Sequence, residues 1–185
     1  MVPLLGLAAA IAYAVLAWAS RQANALSLIL FYGCLAVAAG ACIGAFLVLK
    51  KRSVSRADLS WIAAYAVVFR LIGFLGQPIY EDDFYRYMWD GRAFALTGNP
   101  YQYPPEASFG DDSVSPEFGE ILSRINFPEL PTIYGPACEL GFLLSYWISP
   151  GELWPMKLLF LTADLGLLWV LGTLLGAGAG RSGGG

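Results

Sequence analysis

Three consecutive carboxylates, Glu81-Asp82-Asp83, open a long polar segment, and Arg86, Asp90 and Arg92 follow them at close spacing. Acids set side by side suit a general base or a ligand for a hard cation. The same residues equally suit the first turn of a helix, where exposed N–H groups favour negative charge, with Arg86 as an ion-pair partner. A helix from Asp82 to about Leu96 would place Asp83, Arg86 and Asp90 on one face. Phe84, Tyr85, Met88, Trp89 and Phe94 would flank that face, the make-up of a helix lying in a membrane interface. Further on, Gly98-Asn99-Pro100-Tyr101-Gln102-Tyr103-Pro104-Pro105-Glu106 is punctuated by prolines that forbid helix. Arg124, before the run Ile125 to Pro136, has the charge to hold an anionic group. The chain has no histidine, which excludes His-based triads, HExxH zinc sites and any His general base. Cys34, Cys42 and Cys138 lie in apolar stretches and read as small hydrophobes, neither a disulfide framework nor a metal cluster.

The elements that must position these residues are apolar blocks. Of the 185 residues 57% are hydrophobic and only 14% charged, with a mean hydropathy of +0.58. The apolar residues gather in stretches matched to a hydrocarbon core of about 30 Å. Spans are predicted at about 2–19, 26–49, 59–76, 133–148 and 153–175, a polytopic all-α transmembrane bundle of about five spans in one domain. A flexible Gly-rich tail is expected over 176–185, and its glycines lack the Lys-Ser/Thr of a phosphate-binding loop. Lys50, Lys51, Arg52 and Arg56 concentrate positive charge between the second and third spans, whereas Arg21 alone lies between the first and second. The positive-inside rule then makes the N-terminus cytoplasmic and the loop 77–132 extracytoplasmic. That loop holds ten acidic and three basic residues, which argues against nucleic acid as a partner. Arg70, Glu139 and Asp164 fall within predicted spans, where ionisable groups face a partner or a cavity. Arg70 and Glu139 are expected at similar depth and therefore to approach each other.

Taken together, Glu81 to Arg92, Gly98 to Pro105 and Ile125 to Pro136 resemble the bacterial GT-C glycosyltransferases, most closely the polyprenol-phosphate-mannose-dependent mannosyltransferases. The resemblance covers roughly Tyr80 to Pro136, and the order of the three blocks makes it fairly specific. It implies an inner-membrane enzyme that takes a mannose-like hexose from a polyprenyl-phosphate donor. The acceptor would be a glycan or lipid-linked molecule on the outer face. An acidic loop residue would serve as base, which points to Asp82, with Asp83 second. Glu81, Arg86, Asp90, Arg92, Asn99, Arg124 and Tyr134 would contact substrate or phosphate. The branch is metal-independent, so no metal or other cofactor is predicted, although adjacent carboxylates suit Mg²⁺ or Mn²⁺. Phe127 stands where the pattern has His, and Tyr134-Gly135-Pro136 where it has Tyr-Pro-Pro. Family members carry about twice as many spans, so the chain reads as an N-terminal portion.

Two other classes fit the composition. A non-catalytic membrane scaffold would use the acidic loop to grip a partner and would tolerate its neutralisation. A transporter fragment would line a path with Arg70, Glu139 and Asp164, but would carry repeated halves, and no repeat is evident.

Overall fold

The computed structural model describes residues 1–22 and 26–181, with side chains as far as Leu174. All regular structure among the described residues is helical: α1 (Val2–Ala19), α2 (Leu28–Lys50), α3 (Arg56–Leu75), α4 (Phe84–Thr97), α5 (Pro116–Ser123), α6 (Pro136–Ile148) and α7 (Trp154–Arg181), with a short 3-10 turn at Pro105–Ser108. The chain divides into two compact units, Met1–Ile79 and Tyr80–Gly185.

Among the described residues four helices are long and apolar enough to cross a membrane: α1, α2, α3 and α7 from Trp154 to Leu174. Most of their surface faces away from protein, and in α3 and α7 only 6% and 0% of the most apolar window is buried. Helices are the form in which such surface can meet lipid, because every backbone polar group is bonded within the segment. The segment expected to span at 133–148 differs. Thr132 to Gly135 is not helical, and α6 is confined to 13 residues between Gly135 and Ser149. At 1.5 Å per residue it is about 20 Å long, short of a core of about 30 Å. Pro131 and Pro136 disfavour helix in the residues before them, and Pro150-Gly151 ends the helix on the far side. Helix α7 continues to Arg181, past the expected start of the Gly-rich tail, because Ala177 and Ala179 alternate with glycine and no proline intervenes. Residues 182–185 of that tail lie outside the described residues.

In the first unit α1 packs against α2 and α3, with Ala9, Ala38 and Ala41 buried where the backbones approach. Helix α3 begins at a capping box: Ser55 Oγ accepts from the Asp58 N–H at 3.2 Å, and Asp58 accepts from the Ser55 N–H at 2.9 Å. Arg52 donates to both Asp58 oxygens at 2.6 and 2.7 Å, so the basic link is folded back onto this helix start.

In the second unit α4 lies between α5 and α6. The flank that suited a membrane interface is used against protein: Met88 and Trp89 are buried with Phe118, Ile121, Leu122 and Ile125. On its other side α4 meets α6 at Gly91, where an added Cβ would collide with the Phe142 carbonyl. Tyr87 stacks on Phe142 at 4.8 Å beside that contact. Helix α4 stops at Gly98, whose φ of 73° is the left-handed conformation that glycine adopts without a Cβ penalty.

Alanine for glycine inside a helix ordinarily stabilises by about 1 kcal/mol. Gly91→Ala is expected to do the reverse here, by about 1–3 kcal/mol, because the methyl overpacks the α4–α6 contact. Denaturant unfolding of the detergent-solubilised protein reads the sign directly.

Candidate functional site

The three blocks of sequence, though separated by long stretches, are tied to one another in the second unit. Asn126 Nδ2 donates to Asp82 Oδ1 at 2.7 Å, joining the first block to the third. Arg86 also joins them, its guanidinium donating through one terminal nitrogen to the Leu130 carbonyl at 2.8 Å. Tyr101, from the middle block, donates its hydroxyl to the Tyr134 carbonyl at 2.8 Å. The Glu106 N–H reaches the Pro128 carbonyl at 2.9 Å. The loop is therefore a set of segments held on α4.

Asp82 lies at the surface, just before α4, and Asp83 is the helix N-cap. Asp83 makes no side-chain cap; instead Glu81 Oε1 accepts from the Asp83 N–H at 3.1 Å. One oxygen each from Glu81, Asp82 and Asp83 lies within 4.8 Å of the others, and all three residues are exposed. Both backbone outliers flank the Asp82–Asn126 contact in sequence: Tyr80 has φ 56° and Phe127 has φ 52°. Bulky residues rarely adopt left-handed backbone, and such strain gathers where a particular side-chain placement is enforced. Phe127 is 69% exposed, so burial of its ring does not offset the strain.

Below these acids is a buried ionic network. Arg86 Nε donates to the two Asp90 oxygens at 2.9 and 3.1 Å. The Arg86 and Asp90 side chains are 11% and 3% exposed. Burial pushes the Asp90 carboxyl above its ordinary range, while Arg86 and a hydrogen bond from Thr132 pull it down. Glu139 is fully buried and accepts from Thr132 Oγ1 at 2.7 Å. Helix α6 is not among the four helices of spanning length, and burial on it, followed by the charge of Asp90, pushes the Glu139 carboxyl up to about 7.

The remaining site candidates have definite places. Arg124 donates to the Tyr85 hydroxyl at 2.7 Å and to Glu120 at 2.6 Å, with its side chain half exposed. Arg92 lies over the rings of Trp89 and Phe118 at 5.1 and 5.3 Å. Asn99 Oδ1 accepts from the Tyr101 N–H at 3.0 Å, an Asx turn that aims Tyr101 at Tyr134. The Tyr134 ring stands edge-on to Tyr87 at 5.1 Å and to Phe142 at 5.5 Å. Burial and Tyr87 raise its hydroxyl above the ordinary tyrosine range, so it stays a neutral phenol. Beside it is a cleft of about 370 Å³ whose walls include Tyr87, Ala137, Gly141, Phe142 and Phe160.

Arg86 and Asp90 were expected to contact substrate. The structure pairs them with each other and ties Arg86 to the returning segment at Leu130, since an ion pair removed from water needs its donors and acceptors engaged. Asn126, Thr132 and Glu139 were not assigned to this neighbourhood from sequence. Asn126 stands among the matching residues of the third block, the one signal of its position. Arg70 donates Nη1 to the Ala66 carbonyl at 2.9 Å in α3. Its expected approach to Glu139 joins the two units and stands as an expectation. Comparison with protein-family models, curated proteins and solved structures finds no match to this chain.

Phe127→Gly is expected to stabilise the protein by up to about 1 kcal/mol, since glycine relieves the left-handed strain and little ring burial is lost. A rise in the melting temperature checks this. A fall would show that the ring itself supports the turn.

Proposed function

We propose that the chain belongs to a polyprenyl-phosphate-sugar-dependent glycosyltransferase acting at the outer face of a bacterial cytoplasmic membrane. The observation that carries the reading is the Asp82–Asn126 hydrogen bond, which joins two of the resembling blocks at an exposed carboxylate. In this reading the N-terminus is cytoplasmic, as the basic link between α2 and α3 requires. The loop then meets its substrates outside.

The reaction is a displacement at the anomeric carbon. Asp82 takes the proton of an acceptor hydroxyl as that oxygen attacks, and the sugar–phosphate bond breaks with its electron pair leaving on the polyprenyl phosphate. A single displacement inverts the anomeric centre, as when a carboxylate activates the nucleophile in inverting glycosidases. Asn126 holds one Asp82 oxygen, leaving the other to face the acceptor. Arg124, at the surface and bonded to Tyr85 of α4, is assigned the balancing of charge on the departing phosphate. Arg86 is engaged elsewhere and is reassigned to positioning. The cleft beside Tyr134 is apolar and suits a section of isoprenoid chain. Asp83 is the second candidate for the base.

The test is transfer of labelled hexose from a synthetic polyprenyl-phosphate donor, with the complete enzyme in membrane vesicles. Asp82→Asn is expected to lower kcat by about 10²–10⁴-fold, the usual worth of a general base, with donor KM little changed. Near-normal transfer by both Asp82→Asn and Asp83→Asn would sink the assignment and favour the scaffold reading.

A further inference from the structure

Glu139 takes no part in the proposed transfer, yet its surroundings are highly specified. It is 0% exposed, its Oε1 lies 2.7 Å from Thr132 Oγ1, and among the described residues no hydrogen-bond partner meets Oε2. Asp90 is the other acid that acts on Glu139, from α4. Asp90 has the Arg86 guanidinium against both oxygens, and its charge is balanced there. An ionised Glu139 would instead leave net negative charge in the buried cluster, with one oxygen lacking a donor.

We propose that Glu139 is a positioning residue that must keep its proton, and that as a neutral acid bonded to Thr132 it latches the returning segment at Leu130–Thr132 onto α6 beside the Arg86–Asp90 pair. The segment is then held from two sides, by Glu139 of α6 through the Thr132 hydroxyl and by Arg86 of α4 through the Leu130 carbonyl. Loss of the proton strands a charge with an unpartnered oxygen beside Asp90; water must enter to solvate it, and that loosens the segment that carries Asn126. Only that link to Asn126 rests on the proposed transfer; the latch itself does not.

The charged and titratable groups around Glu139 are few. Asp90 and Arg86 act on it from α4, Asp90 raising its pKa and Arg86 lowering it. Tyr101 comes from the loop, and the ionisable residues of α7, which packs on α6, are Lys157 and Asp164 as far as Leu174. The Glu139 carboxyl is raised from its ordinary 4.5 to about 7, so the folded state holds a proton that the unfolded chain has lost. Its contribution to stability is full below about pH 4.5, declines as pH rises, and is gone above about 7.

The test follows the full chain in detergent micelles from pH 5 to pH 8, reading melting temperature and hydrogen exchange over residues 125–134. The wild type is expected to lose several degrees and at least tenfold in amide protection of that segment. Glu139→Gln keeps a donor to Thr132 without titrating, and both readouts should stay nearly level. Glu139→Ala should be weak at every pH; if it fails to fold, the glutamine comparison still carries the test. Superimposable pH profiles for wild type and Glu139→Gln would overturn the latch, as would protection of 125–134 that ignores pH in the wild type. No sugar transfer is read, so failure of the Asp82 assignment leaves this result standing.

Discussion

A guanidinium removed from water must find acceptors, and in this chain that requirement falls on Arg86. Its side chain is 11% exposed, and its partners are Asp90, one helical turn on, and the Leu130 carbonyl, more than forty residues away. The first bond costs the chain little, because the i,i+4 spacing on α4 presents the two side chains to each other. The second fixes where a long loop returns. Once Leu130 is held there, Thr132 meets Glu139, and Asn126 comes within reach of Asp82. The exposed carboxylate and the buried network are thus two levels of one arrangement, the lower supporting the upper.

The remainder of the second unit protects that pair. Trp89 and Met88 close one side of α4 with α5, and Gly91 lets α6 come against the other without a Cβ between them. Tyr87, Tyr134 and Phe142 fill the space next to that contact with rings at mutual distances of 4.8 to 5.5 Å. The ion pair itself is buried, and lower local dielectric strengthens it. The long apolar helices of the first unit serve a different need, that of presenting hydrocarbon surface with every backbone group satisfied.

How legible this was in the sequence depended on whether the signal was local. The span at 2–19 coincides with α1, and α2 and α3 lie within a few residues of expectation, because twenty apolar residues in a row have few alternatives. The loop helix was readable from Asp82 onward and forms as Phe84–Thr97, ended by Gly98. The shortness of α6 follows from prolines visible in the sequence, but hydropathy alone favoured a span. Contacts across the loop were not readable. A side-chain amide such as Asn126 has no periodicity, and the same carboxylate, Glu139, could be assigned to a distant arginine or to a nearby threonine with equal reason. Arg86 and Asp90 were rightly paired by spacing, yet their burial arises only when the rest of the second unit closes over α4.

A double-mutant cycle on Arg86 and Asp90 tests the arrangement most directly. Unfolding free energies would be measured in micelles for Arg86→Gln, Asp90→Asn and the double variant. Each single replacement strands a buried charge and is expected to cost about 3–5 kcal/mol, whereas the double variant should cost well below the sum. Strictly additive losses would contradict the account, because they would mean that the two residues act independently and that the loop is closed by something other than this pair.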